Sequence, residues 1–399
     1  MATIANIIAG PWRAVLVLGV TQILAWGAIY YPPVLTVPRI AADRGWSMAF
    51  AMGGFSLALL TAGLASPRVG RLIDRYGGHR VMPVGSLIAA AGLALLCYAA
   101  HPAAYLAVWT LLGAATAASL YDPAFATLGR IFGAAARRPI TALTLAGGFA
   151  STVSWPTTHV LLEAFDWRGT YLVYAALLAF IAAPLLAFAL PRMRADSLPR
   201  PDEEVSPPET VLLPKGWPFA LVAAAFAAYA FVPSGLSAHL LAVFGRAGID
   251  AATVVAIGAL FGPAQVAARI GELLFASRIH PLNVARFAVG LLLAGFALLA
   301  LLGFSVAAAA SFALMFGMAN GLITIARGAV PLALFGAAGY GHLIGRIGGA
   351  FLLMQAIAPL ALAFVAERAA DSMVLAVVAV FALVSFLGFM AIRRPGSGH

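Results

Sequence analysis

The stretch Arg68-Val-Gly-Arg-Leu-Ile-Asp-Arg-Tyr-Gly-Gly-His-Arg80 is a polar, glycine-rich and strongly basic turn set between two apolar runs. Residues 48–67 before it are almost wholly apolar, and residues 81–100 after it are apolar apart from Ser86 and Tyr98. Each run is about 20 residues, the length at which a helix rising 1.5 Å per residue crosses a hydrocarbon core of about 30 Å. The turn is therefore expected as a short loop between two membrane-spanning helices. Its excess of arginine assigns it to the cytoplasmic side by the positive-inside rule.

The whole chain reads the same way. Its 399 residues are 63% hydrophobic and 10% charged, against about 25% charged for a soluble protein, and the mean hydropathy is +0.99. A net charge of +10 would point to nucleic acid in a soluble chain. Here the arginines fall in short loops between apolar runs, so the charge reports topology and no nucleic-acid partner is expected. The single cysteine, Cys97, lies inside an apolar run, which excludes a disulfide framework and a thiol or zinc constellation. His159 and His239 fall toward the outer ends of their spans, so neither a metal site nor a cofactor is expected. No cleavable signal peptide is evident, since the only charge before the first span is Arg13 and that span is longer than a signal core.

Twelve apolar runs follow one another: 13–37, 48–67, 81–100, 103–127, 140–162, 170–190, 216–241, 252–275, 287–304, 306–330, 343–365 and 372–391. Assigning alternate loops to the cytoplasm collects Arg68, Arg71, Arg75, Arg80, Arg130, Arg137, Arg138, Arg192, Arg194, Arg200, Lys215, Arg278 and Arg286, with Arg13, Arg393 and Arg394 at the ends. The other side receives only Arg39, Arg44, Arg168, Arg246 and Arg368. Both termini are therefore expected on the cytoplasmic side. Residues 191–215 form the one long polar insert, charged and rich in proline, and read as a cytoplasmic linker between a six-helix bundle at 1–190 and another at 216–399.

The two halves repeat. One near-constant shift lays Pro32 on Pro233, Arg44 on Arg246, Arg68-Val-Gly70 on Arg269-Ile-Gly271, Phe132-Gly-Ala-Ala135 on Phe335-Gly-Ala-Ala338, and Pro156 on Pro359. The glycines and alanines along the spans suit close helix packing in lipid, which gives no hydrophobic push to helix association. Prolines within the spans, such as Pro32, Pro33, Pro123 and Pro233, are expected to bend helices or free carbonyls.

The spacing Gly70, Asp74, Arg75, Gly77, Arg80 resembles the loop motif after the second helix of the major facilitator superfamily of secondary transporters. The resemblance implies an all-α integral membrane fold of twelve helices in two parallel six-helix repeats, with substrate bound near the midplane where the repeats meet. It also implies gating roles on the cytoplasmic side for Gly70, Asp74, Arg75 and Arg80, with the acid of the motif capping the start of span eleven. Arg346, about one turn into that span, is expected to act at the same gate.

A narrower resemblance rests on Arg44-Gly-Trp-Ser47, the Arg137-Arg138 pair and Asp166-Trp-Arg-Gly169. Together with the loop motif these look like the bacterial monocarboxylate-porter and oxalate/formate-exchanger branch. In that branch an arginine of span eight pairs with the substrate carboxylate, and Arg269 matches it. Gln265 stands one turn earlier, where monocarboxylate carriers have an acid, and Pro33 stands where they have a lysine.

Charge inside the hydrocarbon is costly and normally faces a cavity or a partner. For Arg269 there are two readings: a fork binding a carboxylate through two parallel hydrogen bonds, or a gate arginine paired with Glu272 or an inner-loop acid. Asp122, in Tyr121-Asp-Pro-Ala-Phe125, is expected either to carry a coupling proton, since desolvation favours its neutral form, or to be the permanent partner of an arginine. The repeat lays it within about one residue of Arg327, so a couple between the two is expected at or below the site. Tyr30, Tyr31, Tyr121, Asn320 and Gln265 complete the expected substrate lining, with ordinary helix packing as the competing role for each.

These features point to a secondary transporter of a small organic anion, a mono- or dicarboxylate, working by alternating access and coupled to protons or to a counter-anion. Two arginines in one cavity favour a dianion or an exchanger. The alternative is proton-driven efflux of drug-like compounds or metabolites. A receptor or scaffold is disfavoured by the short loops, and an enzyme by the lack of any nucleophile or acid-base constellation in the spans. The expected partners are the anion, a proton or counter-anion, and the lipid bilayer, with the chain as a monomer.

Overall fold

The computed structural model describes residues 10–191, 216–275, 279–368 and 370–393, the side chains of 237–239 and 241 excepted. Apart from Pro191, the linker expected at 191–215 lies outside the described residues. The structure is built from helices, with no strand among the described residues. We number them α1 (Arg13–Arg44), α2 (Met48–Tyr76), α3 (Gly78–Tyr98), α4 (102–132), α5 (137–165), α6 (167–189), α7 (Trp217–Arg246), α8 (Ala251–Phe275), α9 (Pro281–Leu302), α10 (Val306–Phe335), α11 (Tyr340–Ala366) and α12 (Asp371–Ala391). The apolar stretch from Pro102 to Ala189 is 88 residues long and holds three passes. It turns at Gly133 and again at Asp166, whose φ of 58° and ψ of −179° break the helix between α5 and α6.

The opening turn is shorter than its polarity implies. Arg68 to Tyr76 continue α2 as regular helix, and only Gly77, at φ 80°, separates α2 from α3. Charge does not end a helix once it has left the hydrocarbon; a left-handed residue does. α1 likewise runs past the expected position 37 to Arg44 and stops at Gly45, φ 67°. α7 and α10 also outrun their apolar stretches, ending at Arg246 and Phe335.

The chain divides into two compact units, Met1–Lys215 with Phe335–Gly349, and Gly216–Leu334 with Ala350–His399. The same helix pairings recur within each. α2 packs on α4 and α3 on α6 in the first unit, while α9 packs on α12 in the second. α8 meets α10 at Gly317 and Gly321, where an added Cβ would press on the backbone of Phe261 and of Gln265. This pair of small residues four apart allows the close backbone approach on which helix association in lipid depends. The core of the first unit is aromatic, with Tyr105, Trp109, Trp167 and Tyr171 fully buried. Several of its hydroxyls pair with one another or the backbone: Thr36 with the Tyr171 hydroxyl at 2.6 Å, Thr158 with that of Tyr174 at 2.6 Å, and Tyr105 donating to Ala51 O at 2.8 Å. Outward faces carry Leu64, Val84, Leu87, Leu383 and Leu387, all exposed and apolar. A surface of that kind is stable only against lipid.

Candidate functional site

In the first unit the site begins with a bend. Trp26–Tyr30 forms a π-helical turn just before Pro32 and Pro33, which lack the amide protons that would continue the ladder. The turn gathers aromatics: the Trp26 ring centroid lies 4.8 Å from that of Tyr30, 6.0 Å from Tyr31 and 5.0 Å from Tyr121. Three expected lining residues, Tyr30, Tyr31 and Tyr121, thus meet around a tryptophan. Gln22 ties this cluster to α4, accepting from Trp26 Nε1 at 3.0 Å and donating Nε2 to Ser119 O at 2.7 Å.

That carbonyl marks where α4 breaks. Leu120, at φ −88° and ψ −153°, separates Pro102–Ser119 from Tyr121–Phe132. The second segment starts inside the membrane span, and Asp122 occupies its first turn, where the positive end of the helix dipole favours an acid. Asp122 is 8% exposed. Its carboxylate lies against α11 at Gly348, where an added Cβ would overlap it.

The start of α11 belongs to this unit, and Asp74 holds it. Asp74 Oδ1 accepts from the amide of Gly341 at 2.8 Å and Oδ2 from that of His342 at 2.7 Å, so one carboxylate caps two orphan donors of the helix N-terminus. Gly70 is needed for the approach, because any Cβ there would strike the Gly341 carbonyl. The other expected gate residues are placed differently. Arg75 and Arg80 are exposed, and the Arg75 guanidinium sits 5.1 Å over its neighbour Tyr76. Arg346 is half-buried, two helical turns into the docked segment. Two contributors were not legible in the sequence: Arg130, which donates to the Asp74 backbone carbonyl, and His342, whose Nδ1 lies 3.1 Å from Pro67 O.

In the second unit the decisive element is the C-terminal half of α8, Phe261–Phe275. Along Phe261–Phe275 the buried residues are Ala264, Arg269 and Glu272, whereas Ile270, Leu274 and Phe275 are exposed. The helix turns its charge inward and its apolar residues outward, the reverse of a water-soluble helix. Arg269 is 4% exposed and Glu272 5%, and three residues apart they share one face. Arg269 Nη2 donates to Gln265 Oε1 at 3.0 Å, so a neutral amide helps orient the guanidinium. The α10 backbone at Gly321 rests on that of Gln265, which brings Asn320 to the same level. Asn320 Oδ1 accepts from the buried Tyr229 hydroxyl at 3.4 Å. Two turns along α10, Arg327 is 6% exposed, with its guanidinium 4.5 Å over the Phe351 ring.

Asp122 belongs to the first unit and Arg327 to the second. Among the described residues the buried charged side chains are Asp122, Arg269, Glu272 and Arg327. Glu272 is the addition to the expected set; in the sequence it stands only as a possible partner of Arg269.

A family model described as Major Facilitator Superfamily matches residues 15–359. The chain belongs to the major facilitator superfamily. Among curated proteins it is 32% identical over 236 residues to human monocarboxylate transporter 11, covering 56% of this chain and 46% of that one. It is 31% identical over 180 residues to rat monocarboxylate transporter 3, covering 44% of this chain and 36% of the relative. The chain thus spans about half or less of the curated relatives it matches. Among solved structures, FucP in its outward conformation aligns with a TM-score of 0.76 at 12% identity, over 96% of this chain and 99% of that one. The human organic anion transporter MFSD10 aligns with a TM-score of 0.71 at 18% identity and the same coverage. At these identities the two structures speak for the fold alone.

Proposed function

We propose that the protein is a secondary transporter that moves a small organic anion, a carboxylate, across the cytoplasmic membrane of a bacterium by alternating access. The observation that carries this reading is the buried face of α8, where Arg269 is 4% exposed and donates to Gln265. A guanidinium can hold a planar carboxylate through two parallel hydrogen bonds. Arg327 supplies a second positive group, Tyr30, Tyr31, Tyr121 and Asn320 shape the lining, and Asp122 carries the coupling proton. Gly70, Asp74, Arg75, Arg80 and Arg346 gate the cytoplasmic side. The names of the relatives, monocarboxylate transporters and an organic anion transporter, agree in substrate class. The arginine distribution supports cytoplasmic termini, and the chain acts as a monomer.

The test is a thermal-shift screen of purified protein against monocarboxylates, dicarboxylates, inorganic anions and lipophilic cations, followed by liposome uptake of the best hit with and without a pH gradient. Stabilisation by carboxylates that disappears in Arg269→Lys is the expected outcome; stabilisation by cations alone would overturn the anion. That last result would favour the second reading, proton-driven efflux, which the aromatic cluster around Trp26 recommends because stacked rings suit a bulky apolar solute.

A further inference from the structure

The rings gathered at the bend of α1 do not pack like the rest of the core of the first unit. Tyr105, Trp109, Trp167 and Tyr171 are fully buried, whereas Trp26, Tyr30, Tyr31 and Phe55 each keep part of their surface uncovered. Trp26 meets Tyr30 at 66°, Tyr30 meets Tyr31 at 86° with centroids 5.6 Å apart, and Tyr30 meets Phe55 at 70° and 5.6 Å. Rings set so near a right angle form corners, not a stack closed on itself. The π-helical turn is what assembles them. At 3.6 residues per turn, position i+5 lies about 140° round a helix from position i. The bond from the Tyr31 amide to the Trp26 carbonyl, 3.1 Å, spans five residues and brings the two back toward one face. The cluster lies midway along α1, Arg13–Arg44. Tyrosines turned to lipid belong at the membrane–water boundary, so a pair at mid-span faces protein or the solute pathway.

We propose that this aromatic corner is the subsite for the carbon body of the transported acid, and that the acid is an arylcarboxylate, a carboxylate carried on a flat aromatic ring. The inference rests on the reading of the protein as a carboxylate carrier and adds the shape of the solute. An acid of two or three carbons covers too little apolar surface to use several rings. An aryl ring meets one wall face to face and the next edge to face, the two geometries in which aromatic quadrupoles attract. The corner is also held in advance, which lowers the cost of ordering it on binding. Trp26 Nε1 donates to Gln22, which is fully buried and anchored to the Ser119 carbonyl, so what the indole has left for a ligand is its π surface. Tyr121, 5.0 Å from Trp26, is stacked on Phe125 at 5.3 Å and 6°. Its phenol rests against Gly147, where an added Cβ would strike it.

The experiment measures the affinity of the purified full chain for benzoate, cyclohexanecarboxylate and acetate by thermal-shift titration. Benzoate is expected to bind about 10-fold more tightly than acetate. It should also bind about threefold more tightly than cyclohexanecarboxylate, which matches it in apolar area but is not flat. Trp26→Leu should cut the ratio of benzoate to acetate affinity to about two, and Trp26→Phe, which retains a ring, should keep more of it. Arg269→Lys should weaken both acids and leave their ratio in place. Equal affinities for the three acids, cyclohexanecarboxylate bound as tightly as benzoate, or a parental ratio in Trp26→Leu would each overturn the inference and leave the carboxylate reading standing. Should Trp26→Leu fail to fold, Tyr31→Leu must lower the ratio in its place, and an unchanged ratio overturns the inference as well. Binding of none of the three acids removes the carboxylate reading and the inference with it. Stabilisation by tetraphenylphosphonium alone does the same, and assigns the corner to a lipophilic cation.

Discussion

Arg246 donates two hydrogen bonds to Asp371, at 2.8 and 2.6 Å, closing the last turn of α7 onto the first of α12. The first unit holds the same clasp with acid and base exchanged: Arg168, at the start of α6, binds Asp43, near the end of α1, through both carboxylate oxygens. A shift one residue longer than the one that lays Arg44 on Arg246 lays Asp43 on Arg246 and Arg168 on Asp371, and the partners are 125 residues apart in both. What the repeat has kept is the ion pair, not the sign of either residue. All four side chains are partly exposed, so each clasp orients helix ends more than it stabilises them. Reversing one charge, as in Asp371→Arg, should lower the melting temperature, and the double exchange of Arg246→Asp with Asp371→Arg should restore it. Equal melting of single and double variants would show that the clasp has no coupling.

Arg269→Lys keeps the charge and loses the planar fork. The loss of one charge-assisted hydrogen bond, about 1.5–3 kcal/mol, predicts carboxylate affinity lower by roughly 10- to 100-fold and uptake abolished, with the fold unchanged by circular dichroism. Titration of the thermal shift with substrate measures it.

The cap on α11 separates two members of the loop motif. Asp74→Ala removes the acceptor of two amides and should cost about 1 kcal/mol, the usual cost of a lost N-cap, with faster exchange at Gly341 and His342. Arg75→Ala, whose guanidinium stacks on Tyr76 at the surface, should change that exchange little. Comparable effects from both variants would contradict the division of roles.

Packing in lipid gives a control within one chain. Gly317→Val forces side-chain atoms onto the backbone of Phe261 and should destabilise by about 1–3 kcal/mol, the usual cost of overpacking. Gly53→Ala meets nothing within 4 Å and should melt like the parent. Thermal unfolding in detergent distinguishes them, and it also tests whether α8 and α10 touch as described.

Twelve apolar runs and a repeat at a near-constant shift determine the class and the number of passes, because burial in lipid leaves the chain few alternatives to helices; the family is carried by the loop motif from Gly70 to Arg80. Asp122, Arg269 and Arg327 could be singled out for a related reason: a charge amid apolar residues is visible in one dimension. The rest depends on three. No periodicity marks the π-helical turn at Trp26–Tyr30 or the break at Leu120, since both arise where prolines and neighbouring helices settle which carbonyls are left over. Arg75 and Asp74 look equivalent in a motif, yet only Asp74 reaches the amides of α11. Glu272 becomes part of the charge inventory only when α8 is seen to turn it inward beside Arg269. And Gly348, one glycine among 40, acquires a meaning solely from the carboxylate that the fold lays against it, because an absent side chain carries no signal until something occupies its place.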